Sequence, residues 1–182
     1  MANTSSQLKL CTANNVPFLA TGGRHGYTTT LGELDNGLAI DLGTFDKIEI
    51  DSSNAKMTIG GGVRASQIYT PLYEAGFMIG KSRLARRTVL TCFHTDLYLG
   101  TATGSCSCVG MVGITLGAGI GRFEGGSGLL IDALESVRMV TAEGQVITVS
   151  AAEHEDLFWG IRGAGTWPIS ALNFARANGG FP

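Results

Sequence analysis

The sequence lacks the features that mark several classes of protein. No apolar run reaches the ~18 residues that a membrane span needs, and the first residues "MANTSSQLKLC" contain no signal-peptide core. The net charge is only −2, so neither nucleic acid nor an anionic membrane has an electrostatic reason to bind. Taken as written, the chain is expected to be cytoplasmic, with no nucleic-acid partner and no membrane partner.

Cysteine is also scarce. Four cysteines in 182 residues are too few for a disulfide scaffold, and a bridge between Cys106 and Cys108 would close a very small, strained ring. Four residues of types that bind soft metal ions occur in two pairs, Cys92-x-His94 and Cys106-x-Cys108. Structural zinc sites mostly have two or more residues between paired ligands, however. We therefore expect no metal site and keep a zinc-binding module only as an alternative.

Glycine, in contrast, is abundant, with 27 residues that cluster at 22–26, 60–62, 110–128 and 160–165. Such clusters mark backbone that adopts positive φ or approaches a ligand closely. Two nucleotide-binding patterns nevertheless fail. The dinucleotide fingerprint that begins at Gly117 has Arg122 in place of its third glycine, and a P-loop ending at Lys81 would need glycine where Ala75 stands.

The predicted strands are short and arranged partly in hairpins. Residues 37–42 are expected to form a strand, and residues 47–62 a hairpin around a polar turn. A second hairpin is predicted over 133–150, turning at Glu143 and Gly144. These hairpins alternate with helices in no strict order, which predicts an α+β fold.

Two helices are predicted from periodicity and capping. Residues 64–76 carry an apolar stripe at helical spacing, and Pro71 within it predicts a kink or a split into two short helices. Ser150 followed by Glu153 has the spacing of a capping box, which predicts a helix over 151–161.

Two loops carry the chemistry of interest, "TGGRHGY" at 21–27 and "GSCSCVGMVG" at 104–113. Consecutive glycines expose backbone N–H groups that can hold a pyrophosphate, because no Cβ blocks the approach. His25 lies inside the first of these loops with nothing apolar to bury it. Its position makes it a candidate for contact with a cofactor.

Seven stretches carry a family resemblance: "ATGGRHGYTTTLGEL", "AIDLGTFDKIEID", "GGGV", "GSCSCVGMVG", "GIGRFEG", "DALESVRMVTAEG" and "EDLFWGIRGAG". In this order they resemble the berberine bridge enzyme-like FAD-linked oxidoreductases, particularly the fungal type. That family has the FAD-binding fold of vanillyl-alcohol oxidase and p-cresol methylhydroxylase, called the PCMH type. The resemblance covers roughly residues 10–79 and 101–165.

The resemblance implies a set of cofactor-binding residues. His25 would be bonded to the 8-methyl carbon of the flavin, Cys106 would form a second bond at flavin carbon 6, and Cys108 would be a small packing neighbour. The glycines would lie against FAD, and those of the histidine loop would hold its pyrophosphate. The full set is Thr21, Gly22, Gly23, Arg24, His25, Gly26, Tyr27, Gly104, Ser105, Cys106, Val109, Gly110, Gly113, Gly119, Ile120 and Gly121.

The resemblance also implies an activity. Family members oxidise a C–H bond at an alcohol, sugar or amine-type carbon of a small-molecule substrate and pass hydride to the flavin, and many return the electrons to dioxygen. The general base comes from a substrate domain that follows the segments matched here, so no catalytic residue is assigned. The alternative is a non-catalytic truncated or interaction product of such a gene.

The chain departs from the family in three places. Relatives carry a segment before the first helix, often with a secretion signal, and a substrate domain after "RGAG", where this chain reads "TWPISALNFARANGGFP". Residues 80–100 have no counterpart in the family. We therefore expect a truncated chain, with an FAD-binding domain over 1–165, an atypical insertion at 80–100 and a divergent tail at 166–182.

Residues 81–99 are predicted to be a translated intron. Gly80-Lys81-Ser82 can be encoded with the splice donor GTAAGT, and Leu99-Gly100 with an acceptor AG. Deleting the segment restores the family spacing as "YEAGFMIGTATGSCSCVG". The alternative is a genuine surface insertion with a basic face. Sequencing the transcript is expected to reveal a spliced message without this segment, whereas uniform retention would establish the insertion.

Overall fold

The chain builds a five-stranded antiparallel sheet and a separate pair of parallel strands. A computed structural model describes residues 2–26, 34–77, 106–121, 128–163 and 169–174. The predicted insertion at 80–100 lies outside these described residues. Within them, the mixture of hairpins and helices confirms the expected α+β class.

The elements follow one another in a mixed order. One helix precedes the parallel pair, the first hairpin leads into a second helix, and a third helix and a 3-10 helix precede the second hairpin, the last helix and the final strand. Their bounds are α1 Ala2–Ala13, β1 Phe18–Thr21, β2 Leu38–Asp41, β3 Ile48–Asp51, β4 Lys56–Gly60, α2 Ala65–Glu74, α3 Met111–Leu116, the 3-10 helix Leu130–Ala133, β5 Leu134–Val140, β6 Val146–Ser150, α4 Glu155–Ile161 and β7 Ile169–Phe174.

Both predicted hairpins are present, and each turn has an identifiable cause. In the β3–β4 turn the Asp51 carboxylate accepts hydrogen bonds from the Ser53 and Asn54 side chains and from both backbone N–H groups. These bonds, above all that from Ser53, lower the pKa of Asp51 to about 2. In the β5–β6 turn Gly144 adopts φ +72°, a conformation that glycine takes without steric cost.

Helix α2 continues across Pro71, so the predicted split into two short helices is wrong. The Ala75 N–H donates to the Pro71 carbonyl at 3.0 Å, which extends the helix beyond the proline. Ile68 and Leu72, one on each side of Pro71, are fully buried in the core. This packing holds the helix together despite the hydrogen bond that a proline nitrogen cannot donate.

Helix α4 begins at Glu155, four residues later than the predicted start at 151. The Ser150 hydroxyl accepts hydrogen bonds from the N–H groups of Ala152 and Glu153, both at 3.2 Å, but these bonds close a turn rather than the first turn of a helix. His154 then adopts φ +57°, which is incompatible with a continuous right-handed helix. The Ser–Glu spacing was therefore insufficient to define a helix start.

The main core lies between the five-stranded sheet and the helices. Inward side chains alternate along β4, as expected for a strand with one buried face, whereas register shifts at Leu134/Ser136 and Arg138/Met139 interrupt the alternation along β5. The fully buried residues of this core come from β4, α2, α3, the 3-10 helix, β5, β6 and α4, and include Met57, Ile59, Ile68, Leu72, Met111, Leu116, Leu130, Val137, Met139, Val149 and Ile161.

A smaller apolar cluster joins the parallel pair to the main sheet. Leu8 of α1 packs with Ile40 and Leu42, at the end of β2, and with Val140, the last residue of β5. In addition, the Thr12 hydroxyl donates to the Ala142 carbonyl at 2.9 Å. These contacts set the position of β1, and therefore of the histidine loop that follows it.

Several elements were not predicted from the sequence, among them β1, the 3-10 helix, α3 and β7. Strand β7 lies within the segment that the sequence assigns to a divergent tail, yet it is the central strand and pairs with both β4 and β5. The short helix α3 begins directly after Gly110. Among the described helices, none combines the length and the apolar character that crossing a membrane requires.

Neighbouring residues of α2 provide a test of the core. Leu72 is fully buried, whereas the Tyr73 side chain is 68% exposed. We expect Leu72→Ala to lower the free energy of unfolding by about 2–5 kcal/mol, because it removes core contacts and leaves a cavity. Tyr73→Ala, the matched control, should change it by less than about 0.5 kcal/mol. Urea denaturation measures both values, and equal losses would contradict this packing.

Candidate functional site

The two glycine-rich loops meet through their backbones. A Cβ on Gly23 would lie 2.1 Å from the amide nitrogen of Gly110, and a Cβ on Gly110 would lie 2.5 Å from the amide nitrogen of Gly23. No side chain fits at either position. This contact brings together two segments that are more than eighty residues apart in the sequence.

The cysteine loop, residues 106–110, is anchored to the start of α2. The N–H groups of Ala65 and Ser66 donate to the carbonyls of Val109 and Ser107, both at 2.9 Å. The Met111 N–H donates to the Val63 carbonyl at 2.8 Å. The loop thus satisfies amide donors that the first turn of a helix cannot pair internally, and its own position is fixed in return.

The histidine loop, residues 22–26, is held from its other side by an ion pair. Arg24 pairs with Asp41, the last residue of β2. The Gly43 N–H also donates to the Asp41 carboxylate, at 2.8 Å. That bond first, and the Arg24 charge second, keep the pKa of Asp41 below its usual value. The carboxylate therefore stays ionised and available to Arg24 at neutral pH.

These anchors place one imidazole and two thiols in contact. Cys106 Sγ lies 3.4 Å from His25 Nε2 and 2.8 Å from Cys108 Sγ. The His25 and Cys108 side chains are exposed, and Cys106 is half-buried. All three are therefore accessible to a ligand from solvent.

The contact between the two thiols shifts their pKa values in opposite directions. A hydrogen bond from the Cys108 thiol lowers the pKa of Cys106, and backbone N–H groups of Cys108 and Val109 lower it further. The same thiol contact raises the pKa of Cys108, because its proton is held by Cys106. Cys106 is therefore the first of the two to become a thiolate, the nucleophilic form of cysteine.

The structure brings some of the predicted site residues together and gives others a different role. Gly22, Gly23, Arg24, His25, Gly26, Cys106, Val109 and Gly110 surround the junction of the two loops, and Thr21 is buried at the end of β1. Gly113 has open space where a Cβ would lie, which leaves room for a ligand there. Ile120, beside Gly121, is 67% exposed.

Gly119 has a structural role of its own. It adopts φ +73°, and a Cβ there would lie 2.3 Å from the Cβ of Leu130. This packing requires glycine whether or not a cofactor binds. Tyr27, Gly104 and Ser105 lie outside the described residues, as do Cys92 and His94 of the alternative zinc site.

Two features of the site were missed or misjudged from the sequence. Cys108 was expected to be a packing residue, but its side chain is exposed and its sulfur contacts Cys106. Asp41, the partner of Arg24, was given no role. The sequence feature that could have indicated this role is the position of Asp41 at the end of a predicted strand. A carboxylate in such a position can pair with an arginine of a neighbouring loop.

Comparisons with known proteins agree with this architecture. A family model described as FAD binding domain matches residues 2–91. An FAD-linked oxidoreductase of Pyricularia oryzae, OXR1, is 53% identical over 163 residues, which is 90% of this chain. The chain is therefore a homologue of fungal FAD-linked oxidoreductases. It spans 28% of the length of the Pyricularia relative.

Solved structures share the fold. BBE-like 1 of Physcomitrella patens superimposes with a TM-score of 0.74 at 26% identity, covering 96% of this chain and 34% of that one. Glucooligosaccharide oxidase from Acremonium strictum, whose FAD is 6-S-cysteinyl and 8α-N1-histidyl, superimposes with a TM-score of 0.74 at 24% identity. The match covers 96% of this chain and 33% of that one.

The acidity of the thiol pair is directly testable. Because the pKa of Cys106 is lowered chiefly by Cys108, alkylation of Cys106 by iodoacetamide should begin at lower pH than for an ordinary cysteine. Cys108→Ala removes the donor, so the midpoint of the rate profile should move to higher pH. Ser107→Ala, between the two cysteines, should leave it unchanged. Peptide mass spectrometry measures the rates, and an unshifted midpoint in Cys108→Ala would contradict the assignment.

Proposed function

We propose that this chain binds FAD through bonds to both His25 and Cys106 and is the flavin-binding part of an FAD-dependent oxidoreductase. The single observation that carries the proposal is the 3.4 Å separation of His25 Nε2 and Cys106 Sγ. Both groups are nucleophiles, and both are accessible from solvent.

A flavin attached at two points requires both side chains to lie near one ring of the cofactor, with their reacting atoms somewhat further apart than in the present contact. Rotation of the exposed His25 side chain provides that additional distance. The 8-methyl carbon and carbon 6 belong to one edge of a single ring, so two side chains bonded to them must come from adjacent positions. The Gly23–Gly110 contact brings His25 and Cys106 together in this way. The FAD of the Acremonium strictum oxidase, a protein of the same fold, carries one bond of each kind.

The residues around the pair also fit the cofactor. The lowered pKa of Cys106 favours the thiolate, which is the form that attacks a ring carbon. Each bond to the flavin would replace one C–H hydrogen, which leaves as a proton, and the two electrons released would pass through the flavin to dioxygen as the oxidant. The glycines of the histidine loop have no Cβ, so their backbone N–H groups can approach a pyrophosphate.

The bound flavin would supply the redox chemistry, as an acceptor of hydride from a substrate C–H bond. The family resemblance favours an alcohol, a sugar or an amine-type carbon as the donor. The residues described here would position the cofactor. Because the chain spans about a third or less of its relatives, the substrate and the general base belong to the proposal for the whole protein.

Denaturation tests the attachment. The chain, incubated with FAD and unfolded in acid, is expected to retain one FAD by mass, on a cross-linked pair of peptides that contain His25 and Cys106. His25→Ala and Cys106→Ala should each retain the flavin on one peptide, through the remaining bond. The double variant should release it, because neither bond can form.

Ser107→Ala is the matched control and should retain the cross-linked pair, since it changes the same loop without removing a nucleophile. Release of all flavin by the denatured wild-type chain would overturn the covalent proposal. Flavin on the double variant would show attachment elsewhere. A visible flavin absorbance band in the native protein, lost on denaturation, would support FAD binding but contradict the bonds.

A further inference from the structure

Three soft metal ligands converge on the exposed side of the loop junction. The imidazole nitrogen of His25 and the sulfurs of Cys106 and Cys108 all lie within 4.8 Å of one another. We propose that these three residues bind one Zn²⁺ ion in the flavin-free chain. This site shares Cys106 and Cys108 with the zinc alternative predicted from the sequence, but it has His25 in place of Cys92 and His94.

The donor set selects the ion. Thiolate and imidazole ligands favour Zn²⁺, whereas Mg²⁺ and Ca²⁺ require oxygen ligands. None of the three side chains provides an oxygen donor. Three protein ligands leave the fourth position of a tetrahedral zinc ion open to water or to another small ligand.

The distances are close to those of a tetrahedral site. With Zn–S of about 2.3 Å and Zn–N of about 2.0–2.1 Å, ligand atoms of one ion lie roughly 3.5–3.8 Å apart. Cys106 Sγ and His25 Nε2 are already 3.4 Å apart. The two sulfurs, now 2.8 Å apart, must separate by about 1 Å, which a rotation of the exposed Cys108 side chain provides.

The backbone compensates for the single residue between the two cysteines. Residues 107 and 108 form a turn, and the hydrogen bonds from Ala65 and Ser66 hold this turn against α2. His25 is held from the opposite side by the Gly23–Gly110 contact. The ligand-bearing backbone is thus positioned by the fold before any ion binds, which reduces the entropic cost of binding.

Zinc and flavin would compete for the same side chains. If His25 and Cys106 attach the flavin, as proposed above, an ion held by them prevents both bonds from forming. Cys108 forms no bond to the flavin, so its substitution removes a zinc ligand while both attachment points remain. This part of the inference rests on the proposed function, whereas zinc binding itself does not.

Metal titration of the flavin-free chain tests the site. Co²⁺, used as a spectroscopic probe, is expected to bind one ion per chain with a sulfur-to-cobalt charge-transfer band, and Zn²⁺ should displace it. Cys108→Ala should weaken Zn²⁺ binding more than about tenfold, since loss of even an outer-shell partner typically costs 10–100-fold. His25→Ala should do the same, and Ser107→Ala should bind like the wild type. Circular dichroism verifies that each variant is folded.

Flavin incorporation then separates the two proposals. Prior addition of Zn²⁺ should block covalent FAD incorporation in the wild type but not in Cys108→Ala. Absence of the charge-transfer band in the wild type, or equal Zn²⁺ affinity in Cys108→Ala and Ser107→Ala, would overturn the zinc site. If no flavin is incorporated under any condition, the cobalt titration alone still decides it.

Discussion

The close contact between the backbones of Gly23 and Gly110 is the constraint on which the site depends. It is possible only because neither residue has a Cβ. On one side it is supported by the start of α2, which binds the cysteine loop through two amide donors. On the other, the Arg24–Asp41 ion pair holds the histidine loop. The proximity of His25 and Cys106 follows from these contacts, although each residue lies on an exposed loop.

Much of the fold could be predicted from local sequence patterns. Each hairpin has a polar or glycine-containing turn between two runs of alternating apolar residues. These signals lie within a few residues of one another, so a short window of sequence is enough to predict both the strands and the turn. The start of α4 could not be predicted, because Ser150 uses its hydroxyl to stabilise a turn instead of a helix. The place of β7 depends on its pairing with two distant strands, and local periodicity carries no information about such pairing.

The sequence indicated several residues of the candidate site but not their geometry. The family motifs indicated His25 and Cys106, and a glycine at positions 23 and 110 indicated close backbone approach. Nothing in the local spacing showed that Cys108 would contact Cys106 and lower its pKa, or that the imidazole would be the third group beside them. Those relations arise only when two loops from separate parts of the chain meet.

The central place of β7 has a consequence for the order of folding. The hairpins β3–β4 and β5–β6 are each local, but β7 lies between them and joins them into one sheet. During synthesis both hairpins leave the ribosome before β7 does. The main sheet can therefore form completely only after residues 169–174 have emerged. Until then, β4 and β5 each have one edge whose backbone hydrogen-bonding groups lack the strand that pairs with them in the folded sheet. Closure of the sheet is a late, long-range step, of the kind that slows folding.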